Sequence, residues 1–275
     1  MKNKISGKIV ALLLTLIIVA TSGMPLYAKE TGDKANSFRY ENGQSIAKAV
    51  PFSTLSPNAW KKIDGKYYSG DGSVIEGAVA KGIDVSHHQG TVDWKKAKED
   101  GVEFAIIRCG FGMNQTKQDD AQWFNNVKGC EENNIPYGVY LYSYADTVKK
   151  AQSEAEHVLR LIKGHTLAYP VYYDIEEKAV LNKLTAEQLG KIAATFVNKV
   201  KAEGYQTGIY SNKSNFETFL TDSQFSQWNK WVAQYNSPSC TYKGTYQIWQ
   251  AADTGTIDGG NGAVDIDFAM KTISS

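Results

Sequence analysis

The chain has 275 residues, with 30 Lys and Arg against 29 Asp and Glu, so its formal charge is only +1. This balance excludes a strongly basic nucleic-acid binder. Hydrophobic residues make up 42% and charged residues 21% of the chain, which is typical of a globular protein and not of a disordered one.

The first 28 residues have the pattern of an export signal. Three lysines precede an apolar run over residues 9–20, and small residues follow up to Ala28. This pattern predicts a bacterial-type signal peptide over residues 1–28. The apolar run is shorter than the roughly 20 residues that span a bilayer. We therefore expect cleavage, no stable membrane insertion afterwards, and a secreted or cell-wall-associated protein.

Two short regions separate this signal from the main domain. Residues 29–59 are polar and contain Pro51 and Pro57, which predicts a linker or disordered arm. Residues 60–80 carry aromatic residues and two Asp-Gly pairs, which predicts a small hairpin segment. This segment resembles one unit of the repeats of cell-wall-binding modules, but a single unit is equally compatible with a hairpin packed on the main domain.

From residue 81 to residue 275, apolar strand-like runs alternate with helical patterns. The runs are Gly82–Ser86, Phe104–Gly110, Tyr137–Ser143, Pro170–Glu176, Gln206–Asn212, Trp231–Tyr235, Tyr246–Gln250 and Val264–Ala269. Helices are clearest over residues 147–163 and 185–203, the second opening with a capping box at Thr185 and ending at Gly204. The pattern predicts an α/β fold, an irregular TIM-like parallel (β/α) barrel, with a doubly wound open sheet as the alternative. No glycine-rich phosphate loop follows a strand, which disfavours nucleotide chemistry.

Acidic side chains stand at the ends of three predicted strands. Asp84 ends the first strand, Asp174 and Glu176 end the fourth, and Asp265 and Asp267 lie in the last. Side chains alternate along a strand, so Asp174 and Glu176 share a face with Cα atoms roughly 6.6 Å apart. Chemistry in a barrel of this kind takes place at the carboxyl ends of the strands.

Two carboxyl groups on one buried face favour acid–base chemistry. Desolvation and mutual repulsion keep one protonated and leave the other ionised. Hydrolysis of a glycosidic bond needs such a pair, an acid for the leaving oxygen and an anion to support positive charge on the sugar. The alternative for any single acid is a helix N-cap or loop anchor.

Other polar and aromatic residues complete the expected site. Candidate sugar-binding aromatic residues are Tyr142, Tyr144, Tyr210, Tyr235 and Trp249, each with a core role as its alternative. Arg108 lies at the end of the second predicted strand. It is expected to position a carboxylate, with a structural ion pair as the alternative. The adjacent His87 and His88 are interpreted as a loop pair, so neither a metal nor a cofactor is expected. Cys109 and Cys130 are expected to be buried free thiols.

The order of the motifs resembles that of the glycoside hydrolase family 25 lysozymes, the N-acetylmuramidases. Residues 82–90 (GIDVSHHQG) and Val92-Asp93-Trp94 resemble the opening motif of this family. Later motifs follow at residues 104–112, 138–145, 170–176, 208–212, 231–235, 247–250 and 264–265. The resemblance extends over about residues 81–271.

The resemblance implies a barrel that hydrolyses the β-1,4 bond between N-acetylmuramic acid and N-acetylglucosamine in peptidoglycan strands. It implies that Glu176 is the general acid/base and that Asp174 assists, either directly or by orienting the N-acetyl group of the substrate. Asp84 and Asp265 would complete the acidic site. The family often has Asn where this chain has Asp267, which leaves open whether Asp265 or Asp267 reaches the groove, and Asp267 is counted among the substrate-binding candidates.

Two other functions are compatible with these patterns. One is a non-catalytic peptidoglycan-binding barrel, which the retained acidic pair disfavours. The other is a chitinase-like glycosidase, but the longer run of spaced aspartates of that family is absent before Asp174.

Overall fold

The computed structural model describes residues 61–69 and 72–271, together with the backbone of two short antiparallel strands, Tyr40–Glu41 and Gln44–Ser45. The predicted signal peptide over residues 1–28 lies outside the described residues, as does most of the predicted linker over residues 29–59. Within the described part of the chain, no helix combines the length and apolar character needed to cross a membrane.

Eight strands form a closed barrel in chain order. They are β1 (Ala78–Val85), β2 (Phe104–Phe111), β3 (Tyr137–Tyr142), β4 (Val171–Asp174), β5 (Thr207–Asn212), β6 (Asn229–Ala233), β7 (Ile248–Gly255) and β8 (Val264–Met270). Each strand lies within or overlaps one of the eight predicted runs. The barrel prediction is therefore confirmed, and the open sheet is excluded.

The last strand departs from the parallel barrel that the sequence predicts. Strands β1 to β7 run parallel to one another, whereas β8 runs antiparallel to both of its neighbours, β7 and β1. The physical reason is the short link over residues 256–263, because a parallel crossover needs about a dozen residues or more. The first residues of β8, and not its last, therefore lie beside the carboxyl ends of the other strands.

Helices cover the outside of the barrel between the earlier strands. They are α1 (Trp94–Glu99), α2 (Trp123–Glu132), α3 (Val148–Ile162), α4 (Lys178–Leu181), α5 (Ala186–Ala202) and α6 (Lys213–Thr218). The predicted capping box of α5 is present, because Thr185 and Gln188 exchange side-chain-to-backbone hydrogen bonds. Gly204 follows the helix with φ of 88°, a left-handed conformation that suits glycine.

The interior of the barrel is filled below its mouth. The indole of Trp231 on β6 lies 5.6 Å from the ring of Tyr140, 5.4 Å from Tyr172 and 4.3 Å from Tyr210, measured between ring centroids. These rings belong to an inner cluster that is separate from the larger core between the strands and the helices. They form an apolar floor under the polar residues of the mouth.

The predicted hairpin segment packs against the amino end of the barrel. Its strands, Lys61–Ile63 and Lys66–Tyr68, are joined by a turn in which Asp64 and Gly65 both have positive φ, as a two-residue hairpin turn requires. The ring of Tyr67 is buried against Phe268, and its hydroxyl donates to Glu103 and to the carbonyl of Val79. This aromatic residue therefore attaches the hairpin to the barrel.

Candidate active site

Four acidic side chains meet at the rim where β1 to β7 end and β8 begins. We call Asp84, Asp174, Glu176 and Asp265 the acidic mouth. Asp265 is the register partner of Asp84 across β8 and β1. Asp84, Asp174 and Asp265 all act electrostatically on the phenol of Tyr140, which places them around the same ring. Four of the five acids that the strand-end argument named therefore lie at one rim, and the fifth, Asp267, lies one step deeper.

Asp84 is nearly buried and is held by a neighbouring amide. Only 3% of the residue is exposed, and its Oδ2 accepts a hydrogen bond of 2.5 Å from Gln250 Nε2. Burial, followed by the charge of Asp267, raises the pKa of Asp84 well above its usual range. The donated hydrogen bond from Gln250 opposes this shift.

Asp174 is the last residue of β4 and is fully buried. Neither of its carboxyl oxygens has a hydrogen-bond partner among the described residues. Burial raises the pKa of Asp174 well above its usual range, and the positive charge of Arg108 opposes that rise. A buried carboxyl with two unused acceptor atoms is costly for stability and is suited to a ligand that supplies a donor.

Glu176 lies two residues beyond the end of β4. The strand is thus shorter than the predicted run, although Ile175 still donates its N–H to the carbonyl of Tyr210 on β5 at 3.0 Å. Glu176 is 3% exposed, and its charge, after burial, raises the pKa values of both Tyr142 and Tyr210. Its carboxyl therefore lies near two aromatic side chains of the mouth. The next residue, Glu177, is the N-cap of α4 and accepts a hydrogen bond from the N–H of Ala179.

The two acids of β8 lie at different depths. Both face the inside of the barrel, but Asp265 pairs with Asp84 at the rim whereas Asp267 pairs with Gly82 one step deeper. Asp267 is 0% exposed, and its Oδ1 accepts a hydrogen bond of 2.7 Å from Trp231 Nε1. Asp265 is therefore the nearer of the two to the rim, and Asp267 has no exposed surface for direct contact with a ligand.

Arg108 is held by an ion pair and two imidazoles. Its Nε donates to Asp120 Oδ2 at 2.7 Å, and its other nitrogens contact His87 Nδ1 and, at 3.4 Å, His88 Nε2. Burial opposes the ionisation of Asp120, but Arg108 and His87 hold the pKa of this carboxyl well below its usual range. The alternative of a structural ion pair thus describes Arg108 best, and its contribution to the mouth is a positive charge near Asp174.

The predicted aromatic residues divide by exposure. Tyr142 and Tyr210 are almost fully buried, whereas Tyr144 and Tyr235 keep part of their surface exposed. The rings of Tyr142 and Tyr144 lie 5.1 Å apart. Tyr144 and Tyr235 are therefore the two candidates with ring surface available to a sugar, and partly exposed Phe111, 6.4 Å from Tyr144, joins them. Phe111 could have been found in the sequence because it follows the second predicted strand directly.

The assignment of Trp249 as a sugar-binding residue is contradicted by its position. Side chains alternate along β7, so Ile248 and Gln250 face the interior and Trp249 faces outward. Trp249 is 0% exposed, packs 6.0 Å from the ring of Phe268, and donates its indole N–H to the carbonyl of Gln234. It is a core residue, which was the alternative for each aromatic candidate.

Gln250 is a site residue that the sequence patterns did not reveal. Its Oε1 accepts hydrogen bonds from the hydroxyls of Tyr210 at 2.8 Å and Tyr235 at 2.6 Å, while its amide donates to Asp84. It therefore connects Tyr210 on β5 and Tyr235 beyond β6 to one acid of the mouth. Only the alternation of inward-facing and outward-facing side chains along β7 could have indicated Gln250. In a strand that is buried on both faces, this alternation cannot be recognised from the sequence.

The loop that carries Tyr144 is anchored by a second residue that the sequence did not reveal, Glu154 on α3. Its carboxylate accepts the N–H of Tyr144 at 2.9 Å, the hydroxyl of Ser143 at 2.8 Å and the hydroxyl of Tyr173 at 2.5 Å. Burial raises the pKa of Glu154 to about 7, against the effect of these donors. Glu154 therefore fixes an aromatic residue of the mouth from behind.

The remaining polar residues form no metal centre in the described ranges, where no group of three or more His, Cys, Asp or Glu could hold an ion. His87 and His88 lie in a short 3-10 turn capped by Ser86, in agreement with their interpretation as a loop pair. Cys109 and Cys130 are buried free thiols, as the sequence indicates, and Cys240 is also free.

A barrel with paired buried carboxyls and partly exposed aromatic rings at one rim has the arrangement of a glycoside hydrolase. Residues 83–260, more than half of the chain, match the family model of glycosyl hydrolases family 25. The chain therefore belongs to glycosyl hydrolase family 25.

Three similar proteins illustrate this membership. YegX of Escherichia coli (strain K12) is 30% identical over 199 residues, which cover 70% of each chain. The autolytic lysozyme of Clostridium acetobutylicum is 27% identical over 68% of this chain and 55% of its own. The structure of the modular autolysin LytC from Streptococcus pneumoniae superposes with a TM-score of 0.66 at 31% identity. That match covers 76% of this chain but only about half, 51%, of LytC.

Proposed function

We propose that this protein is a lysozyme that cleaves the β-1,4 bond between N-acetylmuramic acid and N-acetylglucosamine in peptidoglycan. The observation that carries this proposal is the acidic mouth. In it, Asp174 ends β4 and Glu176 lies two residues further on, beside partly exposed aromatic side chains. Among the similar proteins, one is an autolytic lysozyme and another, LytC, is described in complex with a synthetic peptidoglycan ligand.

Glu176 is proposed as the general acid/base. It lies two residues beyond the end of β4, close to Tyr142 and Tyr210. Its proton would pass to the glycosidic oxygen as the bond to the sugar carbon breaks, and a water molecule would return a proton to it in the second half of the reaction.

Asp174 is proposed to orient the N-acetyl group of the substrate. Its two carboxyl oxygens have no donor among the described residues, so an acetamido N–H is a suitable partner. A hydrogen bond to the ionised form favours ionisation. Substrate binding would therefore favour release of the Asp174 proton to solvent, which leaves the anion that supports positive charge at the reacting sugar.

Asp84 and Asp265 are proposed to complete the site at the rim, and Tyr144 and Tyr235 to stack on sugar rings. Action on peptidoglycan requires export, which the predicted signal peptide over residues 1–28 would provide. We therefore place the mature protein outside the cytoplasmic membrane, on or near the cell wall.

The test is digestion of purified peptidoglycan and of chitin by the full chain, followed by mass spectrometry of the new reducing ends. The proposal requires reducing-end N-acetylmuramic acid from peptidoglycan. Reducing-end N-acetylglucosamine from chitin would indicate a chitinase-like glycosidase instead. Binding to peptidoglycan without new reducing ends would indicate a non-catalytic barrel.

A further inference from the structure

Asp267 is the deepest acid of the barrel, and the roles proposed above leave it unused. It lies opposite Gly82 on β1 and opposite Gln250 on β7. The indole N–H of Trp231 donates to its Oδ1 at 2.7 Å, which fixes the orientation of the carboxyl. The residue has no exposed surface, so its ionisation is decided by its neighbours and not by water.

The neighbour that matters most is Asp84. Asp84 and Asp267 are diagonal neighbours on the inner face of β1 and β8, because Asp84 pairs with Asp265 and Gly82 pairs with Asp267. Each side chain accepts a hydrogen bond from another strand. Gln250 donates to Asp84, and Trp231 donates to Asp267. The second oxygen of Asp267, Oδ2, is buried and accepts no hydrogen bond from the described residues. Ionised carboxylates are acceptors only, so Asp84 can donate to this oxygen only when Asp84 holds a proton. Two adjacent charges in a buried site would also repel each other strongly.

We propose that Asp84 and Asp267 share a single proton, and that Asp267 is thereby the positioning residue that keeps Asp84 uncharged at the acidic mouth. The consequence for catalysis rests on the proposed glycosidase function, whereas the shared proton is a property of the folded chain alone. A pair with one proton behaves as one titrating unit with two separate steps.

The charged groups around the pair reinforce this arrangement. Asp174 faces Asp84 from β4, and Asp265 acts on Asp267 from the rim of β8. Burial, together with these charges, raises the pKa values of both members of the pair. Arg108 supplies a positive charge that acts on Asp174. Three buried phenols also surround the two carboxyls, and they belong to Tyr140, Tyr172 and Tyr210.

Loss of the shared proton at high pH would add a second negative charge next to Asp174. Activity should therefore fall on the basic side of the optimum as the pair ionises. The Asp267→Asn side chain keeps an oxygen for Trp231 but offers an N–H to Asp84, which favours the ionised form of Asp84. The Asp267→Asn variant should then carry a charged Asp84 at every pH at which the enzyme works.

The experiment is a pH titration of the full chain carrying ¹³C-labelled aspartate carboxyls, followed by NMR, with signals assigned from Asp84→Asn and Asp267→Asn. We expect two coupled carboxyls in the wild type, with one proton retained well above roughly pH 4, where aspartate ordinarily titrates. In Asp267→Asn the signal of Asp84 should move to lower pH by at least one unit. The exposed Asp258→Asn is the matched control and should leave both signals in place.

Activity against peptidoglycan gives the second readout. In Asp267→Asn the basic limb of kcat/KM should disappear or shift by the same amount as the Asp84 signal, while Asp258→Asn keeps the wild-type profile. Independent titration of the two carboxyls in the wild type, or an unmoved Asp84 signal in Asp267→Asn, would overturn the shared proton. The two variants assign the signals independently, so misfolding of one leaves the other to assign its signal and the wild-type titration to show whether the carboxyls are coupled. A coupled titration in a chain that fails to cleave peptidoglycan would instead refute the proposed function and leave the pair intact.

Discussion

The two ends of the barrel hold carboxyl groups in opposite ways. At the amino end, Glu103 accepts hydrogen bonds from Lys62 Nζ at 2.5 Å, from the N–H of Lys81 at 2.9 Å and from the hydroxyl of Tyr67. Burial alone would raise the pKa of Glu103, but these donors hold it below the usual range. At the carboxyl end, burial raises the pKa of Asp174, whose oxygens accept no hydrogen bond from the described residues.

This difference separates a structural carboxyl from a chemical one. The bonds of Glu103 attach the hairpin to the barrel, so its ionisation contributes to folding. Asp174 makes no such stabilising hydrogen bonds with the described residues, and its desolvation at the mouth decreases the stability of the folded state. Unsatisfied buried polar groups of this kind mark places where function, rather than stability, explains the residue.

The largest effect is expected from removing the proposed proton donor at the mouth. Glu176→Gln keeps the size of the side chain but has no transferable proton, so kcat on peptidoglycan should fall by about 10²–10⁴-fold. The thermal midpoint should remain close to that of the wild type, as circular dichroism would show. The exposed Glu203→Gln is the matched control, and wild-type activity in Glu176→Gln would show that another group is the acid.

A smaller effect is expected for Asp174→Asn, which should increase stability and decrease activity. The raised pKa means that, above roughly pH 4, the folded state holds a proton that the unfolded state has released. Wild-type stability therefore decreases as pH rises through this window, by up to about 1.4 kcal/mol per pH unit. The Asn variant should be more stable at pH 7, with a difference that shrinks toward pH 4, although its kcat falls. Denaturant unfolding at several pH values measures this, and a variant that is less stable at pH 7 would contradict it.

The backbone framework and the main acids could be predicted because they depend on local patterns. Buried strands give apolar runs, and residues at their ends are close in any barrel, so Asp84, Asp174 and Glu176 followed directly. The antiparallel direction of β8 was not predicted, because it depends on the length of the link between β7 and β8. This direction places Asp265 rather than Asp267 at the rim.

The partners of the acids could not be predicted because they lie on other elements. Gln250 is far from Asp84 in the chain yet donates to it, and Asp120 fixes Arg108 from the loop after β2. No spacing rule relates such residues, since their meeting depends on barrel closure and on which face of a strand is inside. Trp249 was assigned wrongly for the same reason. Residues on both faces of β7 are buried, so the sequence does not show which of them face the interior of the barrel.

The smallest effect is expected at the amino end, where Glu103→Gln should alter stability alone. The lowered pKa of Glu103 means that its ionised form stabilises the fold above roughly pH 4.3, and that this contribution is lost as pH falls. The side chain is about one-third exposed, so screening limits the loss at pH 7 to about 0.5–1 kcal/mol. Exposed Glu99→Gln is the control, and unfolding at pH 7 and pH 3 checks the direction. Loss of peptidoglycan cleavage in Glu103→Gln would show that the two ends of the barrel are coupled, because a purely structural carboxyl at the far end leaves the chemistry of the mouth unchanged.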